Sequence, residues 1–226
     1  MRDRALKKEL QNLLSDGAFP AVASLVDRIS PAKALNPLIS LLCSTDELLK
    51  FRAIEVLGQA LQDIANQEME DARVVMRRFM WMLNDESGGI GWGVPEAMAE
   101  AMCCHQQLAE EYAHILVANM REEGNFLELE MLQRGLMWGL GRLAERRVNL
   151  MSKKNAGLYL PPYLNSPDPM VRGRAAFALG HLQTEASRET LQRLTTDPGE
   201  VTLYRDHKLV LFSVGELASQ ALLRME

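Results

Sequence analysis

Apolar residues recur every three to four positions along most of this 226-residue chain, which is the spacing of amphipathic helices. Leu49, Ala53 and Leu57 begin one such stripe, and Val171, Ala175 and Leu179 begin another. A second set of amphipathic stretches covers residues 32–43, 70–83, 108–120 and 148–164. Turn-forming residues separate the stretches, so the pattern predicts a chain of helices joined by short turns.

One segment of the sequence recurs. Residues 49–58 align without gaps to residues 171–180, and weaker copies occupy residues 90–99 and 132–141. The copies end at positions 58, 99, 141 and 180, in steps of 41, 42 and 39 residues. A period of about 40 residues is typical of two-helix solenoid repeats. The spacing therefore predicts four stacked helix pairs over residues 31–186.

The two ends of the chain depart from this period, as terminal caps of a solenoid do. Residues 3–14 and 19–29 predict a pair of cap helices within residues 1–30. Residues 187–226 predict a second cap, in which strands at 200–204 and 209–212 form a hairpin. Ser213 precedes Glu216 by three residues, the spacing of a capping box, and predicts a closing helix to about Met225. We expect a single domain over residues 1–226.

The motif at residues 168–180 identifies the repeat type. It begins Asp168-Pro-Met-Val-Arg172, ends in Gly180, and resembles the HEAT-like repeats first noted in phycobilisome lyases. Residues 81–96, 135–144 and 200–204 look like those of a group of bacterial HEAT-repeat proteins with no assigned activity. The resemblance implies an all-α, armadillo-like fold, a right-handed αα-superhelix with a small C-terminal β-hairpin and a closing helix.

The two middle copies depart from the family pattern at its basic positions. Gly91 and Gln133 stand where the outer copies have Lys50 and Arg172, and Gly93 and Gly135 stand where they have Arg52 and Arg174. In families of this type the basic side chain tends to bind a neighbouring repeat. The resemblance therefore implies that this contact is missing in the middle of the stack.

Charge and cysteine content indicate which kinds of partner and which cellular compartment to expect. The net charge of −5 argues against a nucleic-acid partner, because phosphate binding depends on clustered Lys and Arg. Cys43, Cys103 and Cys104 do not form a disulfide framework, which favours a reducing compartment. The sequence shows neither a signal peptide nor a membrane-spanning run, so we expect a cytoplasmic protein with no membrane partner.

The second helix of each repeat carries unexpected residues opposite its apolar stripe. Large aromatic and charged side chains occupy this face, which in solenoids is usually the concave one. The candidate groove residues are Phe51, Glu55, Trp92, Glu96, Glu100, Arg134, Trp138, Arg142, Phe177 and His181. Trp and Arg commonly anchor interfaces, so the set suits a peptide or a planar ligand. The alternative is that neighbouring helices bury these rings.

Residues 84–95 form the least regular segment, and Asn84, Asp85 and Glu86 are candidate loop residues for binding. These polar side chains can cap a helix start, and the glycines that follow permit a left-handed backbone. Glycines before a helix can also bind an anion, but the two acidic residues would repel one. A structural turn is the preferred interpretation of the segment.

The sequence gives little support for a catalytic site or a metal site. Cys103, Cys104 and His105 are consecutive in a predicted helix, so their side chains diverge and we expect no metal site. His114 and His207 are expected on the surface or in a turn. No nucleophile motif or cofactor fingerprint is present, so we expect no catalytic residues and no cofactor.

The sequence therefore favours a non-enzymatic scaffold or binding module whose concave face engages a protein partner or a second copy of the chain. Two enzymatic alternatives remain open by analogy of fold: a bilin lyase or isomerase, and a HEAT-type alkylpurine DNA glycosylase. The acidic net charge and the missing central basic residues argue against the glycosylase.

Overall fold

The structure, a computed structural model, describes residues 3–15, 30–84 and 91–226. Over these residues the chain is mostly helical, and it divides into two compact units. The N-terminal unit comprises Met1–Ala109 with Asp206–Lys208, and the C-terminal unit comprises Glu110–Arg205 with Leu209–Glu226. The predicted single domain over residues 1–226 stays a prediction, and the predicted cap helix at residues 19–29 lies outside the described residues.

The helices α1 to α5 of the N-terminal unit follow the predicted order, and α6 begins in this unit. Their bounds are α1 Asp3–Ser15, α2 Pro31–Leu41, α3 Glu47–Gln67, α4 Met69–Leu83, α5 Val94–Cys104 and α6 Gln106–Ala118. Helix α3 packs against α1, α2, α4 and α5, so its apolar residues form the centre of the unit. Asp46 caps α3 by accepting a hydrogen bond from the backbone N–H of Leu49 at 3.1 Å.

The backbone at the start of α5 explains why a glycine replaces the basic residue of the repeat at this position. Gly93 adopts a left-handed backbone with φ of 70°, and Pro95 follows in the first helical turn. A Cβ at Gly93 would lie 3.0 Å from the carbonyl oxygen of Leu42. The position equivalent to Arg52 is thus a glycine because the backbone turns sharply there against a neighbouring segment.

The C-terminal unit is arranged around one repeat helix. Its further elements are α7 Glu130–Arg146, α8 Val148–Lys153, α9 Ala156–Tyr159, a 3-10 helix at Pro161–Asn165, α10 Pro169–Leu182, a 3-10 turn at Glu185–Ser187, α11 Arg188–Leu194, β1 Glu200–Arg205, β2 Lys208–Ser213 and α12 Val214–Arg224. Helix α10 packs against α7, α12, β1 and the first 3-10 helix.

The end of the chain agrees with the sequence prediction. Strands β1 and β2 form a two-stranded sheet, and Ser213 and Glu216 form the capping box that opens α12. His207 lies exposed in the turn between the strands, and His114 is exposed on α6, as expected.

One predicted helix is broken. Residues 148–164 were expected to form one amphipathic helix, but they form α8, α9 and a 3-10 helix instead. Asn155 takes a left-handed backbone with φ of 58°, which ends the first piece. Pro161 and Pro162 lack the backbone N–H that would continue the second piece.

Candidate functional site

The structure places half of the predicted groove residues in the N-terminal unit, where several are buried. Phe51 has no exposed surface, and Glu96 and Glu100 are almost as deeply buried. For Phe51 the alternative of burial between neighbouring helices holds, and Glu96 and Glu100 are buried as well, so these three residues do not face an open groove. The reason is close helix packing: a Cβ at Gly58 would lie 2.9 Å from Cγ of Glu100, so α5 covers this face of α3.

The buried Glu96 has a cationic partner. Lys50 Nζ lies 3.4 Å from Glu96 Oε1 and 4.7 Å from the centre of the Phe51 ring. Burying a carboxylate is costly unless it is paired, so this contact accounts for Glu96 in structural terms. Glu55 and Trp92 remain partly exposed, and Glu55 Oε2 lies 3.0 Å from His207 Nδ1.

Of the three loop candidates, Asn84 lies within the described residues. Asn84 ends α4, and its side-chain amide donates a hydrogen bond to the carbonyl oxygen of Met80 at 3.0 Å. The expectation that Asn84 caps the start of the next helix is wrong, because its backbone follows the last turn of α4. Asp85 and Glu86 lie outside the described residues.

The other predicted groove residues belong to the C-terminal unit. Arg134 Nε donates to the carboxylate of Asp168, which itself caps α10 by accepting from the N–H of Met170 at 2.9 Å. Arg134 therefore helps to hold the start of α10. The remaining four, Trp138, Arg142, Phe177 and His181, lie on the facing helices α7 and α10.

A cleft of about 290 Å³, including space open to solvent, lies where α7, α10 and β1 meet. We call it the aromatic–arginine cleft. Its lining residues are Trp138, Arg142, Glu145, Arg174, Phe177, Leu203, Tyr204 and Arg205. All of them belong to the C-terminal unit. The cleft brings together three of the predicted groove residues, with His181 beside them.

Helical spacing and a glycine build the cleft walls. Trp138, Arg142 and Glu145 are four and three residues apart and share one face of α7. Phe177 comes from α10, and Gly141 on α7 lets it approach, since a Cβ there would lie 2.8 Å from Cδ1 of the ring. Trp138 and Phe177 are largely buried, so they form an apolar floor.

Glu145 holds two arginines at the cleft. Its Oε2 lies 3.2 Å from Arg142 Nη1, and its Oε1 lies 2.7 Å from Arg205 Nη2. The Arg205 guanidinium also lies 5.2 Å from the centre of the Phe177 ring, within cation–π range. Burial raises the pKa of Glu145, but the hydrogen bond from Arg205 and the two arginine charges outweigh it, so the pKa lies below its usual value.

Arg174 links the three elements that form the cleft. It is almost completely buried and donates hydrogen bonds to the carbonyl oxygens of Arg134 at 2.9 Å and Thr202 at 2.8 Å. It thereby ties α10 to the first turn of α7 and to β1. Arg52, its equivalent in the first repeat, similarly donates to the carbonyl oxygen of Leu14 at 2.7 Å.

His181 lies next to the cleft floor. Its ring packs edge-on against Phe177, with the ring centres 4.7 Å apart, and its Nε2 is buried without a hydrogen-bond partner. Burial is the main reason that the pKa of His181 is lowered, and the charges of Arg224 and Arg205 act in the same direction. The imidazole is therefore mainly neutral near pH 7.

Sequence reasoning missed five of the lining residues. Glu145 could have been found, because it lies two helical turns after Trp138 on the same face. Arg174 was recognised only as the basic position of the repeat. Leu203, Tyr204 and Arg205 lie in the predicted hairpin, but nothing local indicates which helices the hairpin contacts.

The described residues contain no group of three or more His, Cys, Asp or Glu side chains that could hold a metal ion. None of their helices has the length and apolar character needed to span a bilayer.

Comparison with known proteins supports the repeat assignment. Residues 171–197 match the family model of the PBS lyase HEAT-like repeat. A protein of Archaeoglobus fulgidus described as uncharacterized is 31% identical over 120 residues, which cover 53% of this chain and 57% of that protein. The chain thus matches little more than half the length of this curated relative.

Solved repeat proteins share the fold. A designed armadillo repeat protein matches with a TM-score of 0.60 and 18% identity, covering 99% of this chain and 93% of its own. Another, in complex with the peptide (KR)4, matches with a TM-score of 0.61 and 17% identity, covering 99% of this chain and 92% of its own. The chain therefore has an armadillo/HEAT-type solenoid fold, with a small two-stranded sheet and a closing helix near its C-terminus, as predicted.

Proposed function

We propose that this protein is a non-enzymatic binding module that engages a segment of a protein partner through the aromatic–arginine cleft. The repeat fold supports a scaffold or binding role, since solenoids offer extended surfaces for partners. Solved neighbours include designed armadillo proteins made for modular peptide recognition. The observation that carries the proposal is the cleft itself, where partly exposed arginines border an apolar aromatic floor.

The cleft is a shallow surface depression. Its space of about 290 Å³ includes volume that is open to solvent, so the part enclosed by protein is much smaller. A depression of this kind can contact a side chain of a bound segment at the surface, whereas a large planar ligand needs a deeper pocket. Trp, Tyr and Arg are also the residue types that contribute most to binding energy at interfaces.

The chemistry of the lining favours binding over catalysis. The lining residues include no Ser, Cys or Lys that could act as a nucleophile. The single carboxylate, Glu145, is held ionised by two arginines, which makes it a poor general acid or base near neutral pH. We infer that the cleft acts without chemistry of its own.

The proposal can be tested by selecting a random peptide library displayed on phage against the immobilised full-length protein. A double variant, Arg142→Ala with Arg205→Ala, serves for counter-selection once circular dichroism shows that it is folded; both side chains are about one third exposed. We expect peptides that bind the wild-type protein and lose at least about tenfold in affinity for the double variant.

Arg193→Ala is the matched control, because it removes an exposed arginine of α11 in the same unit without touching the cleft. It should bind the selected peptides as the wild type does. If selection yields no peptide that distinguishes the wild type from the double variant, the proposed function fails.

A further inference from the structure

We infer that the aromatic–arginine cleft is selective for an acidic peptide segment, and that Glu145 occupies the place of the incoming carboxylate until the partner binds. This inference rests on the proposed function and names the chemical class of the partner. Its basis is the charge arrangement of the lining, together with the exposure and contacts of Glu145 and Arg205.

The lining is cationic although the whole chain is acidic. It contains three arginines and a single carboxylate, whereas the chain carries a net charge of −5. Arg174 is committed to two backbone carbonyls, so Arg142 and Arg205 are the cations that a ligand can reach. A local cationic site on an anionic protein attracts acidic segments and disfavours basic ones.

Arg205 is poised to bind a second carboxylate. A guanidinium group carries five N–H donors, and within the described part of the chain Arg205 donates to Glu145 through Nη2. The Phe177 ring beneath it restricts its orientation, which lowers the entropy lost on binding. Its side chain is about one third exposed, so a ligand can approach it from solvent.

Water can reach the ion pair between Glu145 and Arg205. The side chain of Glu145 is 24% exposed, and those of Arg142 and Arg205 are 31% and 34% exposed. Water can therefore solvate the Glu145 carboxylate when it leaves Arg205. A peptide carboxylate can therefore replace Glu145 on Arg205 while the apolar part of the peptide packs on the aromatic floor.

The first measurement is the composition of the peptides enriched on the wild type and depleted by the double variant. We expect Asp and Glu to be over-represented and Lys and Arg to be depleted. Enriched peptides that are neutral or basic would overturn the inference and leave the proposed function intact. An absence of enriched peptides would mean failure of the proposed function itself.

The second measurement is the affinity of one selected acidic peptide, labelled with a fluorophore, by anisotropy. Replacing its acidic residues by Gln or Asn should weaken binding about tenfold, because the charged hydrogen bonds are lost. Arg205→Ala should weaken it similarly, and Arg205→Lys should restore part of the loss.

The variant Glu145→Gln distinguishes between two roles of Glu145: displacement from Arg205 by the peptide carboxylate, and a purely structural role. If Glu145 competes with the peptide, the variant should bind several-fold more tightly. If Glu145 instead holds the arginines in place for the peptide, the variant will bind more weakly and the displacement is refuted. A single-stranded oligonucleotide that competes as well as the acidic peptide would also contradict the selectivity for a peptide.

Discussion

Single residues in the C-terminal unit combine structural and electrostatic roles. His181 is an example, because it supports the Phe177 ring while its Nε2 is buried without a partner. Protonation would place a charge beside Arg205 and Arg224 in a site that is already poorly solvated. The folded protein therefore favours the neutral form of His181, although the nearby Glu145 carboxylate partly offsets this preference.

This role predicts a pH dependence of stability. The folded-state pKa of His181 lies below its unfolded value of about 6.5, so the stabilisation is fully present above that pH. It is lost as the pH falls from about 6.5 towards the folded-state pKa, because there the unfolded chain binds a proton that the folded chain does not. Urea unfolding at pH 7.5 and pH 5.5 should show a smaller loss of stability for His181→Gln than for the wild type. Equal losses would contradict the prediction.

The packing of neighbouring elements depends on a few contacts that local sequence does not reveal. Helix α10 approaches α12 so closely that a Cβ at Gly180 would lie 2.6 Å from Cα of Ala221. Backbone cannot move aside as a flexible side chain can. The final glycine of the repeat motif thus permits the contact between the last repeat and the closing helix.

Gly180→Ala should therefore destabilise the protein although alanine is the better helix former. Helix propensity favours the variant by about 1 kcal/mol, while overpacking costs about 1–3 kcal/mol. Because the clash is with backbone, the overpacking cost should lie near the upper end of its range, which leaves a net loss of up to about 2 kcal/mol in the free energy of unfolding, measured by chemical denaturation. Gln220→Ala on α12 is the control and should change stability by less than about 0.5 kcal/mol. A more stable Gly180→Ala variant would show that the two helices can separate freely.

Arg174 provides a second test at this scale. Arg174→Met keeps most of the side-chain volume but removes the donors to the carbonyl oxygens of Arg134 and Thr202. We expect a loss of about 2–4 kcal/mol, because these acceptors lose charged hydrogen bonds in a buried setting. Arg193→Met, at an exposed position, should cost less than about 0.5 kcal/mol by the same denaturation measurement. A loss for Arg174→Met no larger than the control's would mean that water replaces these hydrogen bonds.

For the molecule as a whole, the net charge distinguishes between DNA and a short acidic peptide as possible partners. The net charge of −5 opposes association with a polyanion as large as DNA, whereas a short acidic segment needs only the local arginines of the cleft. We expect no binding of a labelled DNA duplex at low ionic strength, measured by anisotropy. Binding that weakens steeply with added salt would instead support the alternative of a HEAT-type DNA glycosylase.

The fold was largely predictable because its signals are local and repeated. The 40-residue period, the apolar stripes and the capping box at Ser213 each depend on residues close together in sequence. The broken helix at residues 148–164 was missed because its apolar pattern continues through Asn155. The left-handed backbone at that residue depends on packing as well as on local propensity.

The candidate site was predictable only in part. The face of α7 that carries Trp138 and Arg142 followed from helical periodicity, but the same reasoning placed Phe51 on a solvent face, where it is fully buried. Periodicity shows which residues share a face of a helix. It does not show how closely the next helix covers that face.

By itself, the sequence determined the repeat class, the helices that carry the repeat motif and the terminal hairpin, since short-range spacing specifies each of them. Only the tertiary structure decided that Glu145 lies between Arg142 and Arg205, and that β1 completes the cleft with Tyr204. Arg142 and Arg205 are far apart along the chain, and their meeting depends on how α7, α10 and β1 pack. That packing is set by apolar burial summed over many residues, which no single motif encodes.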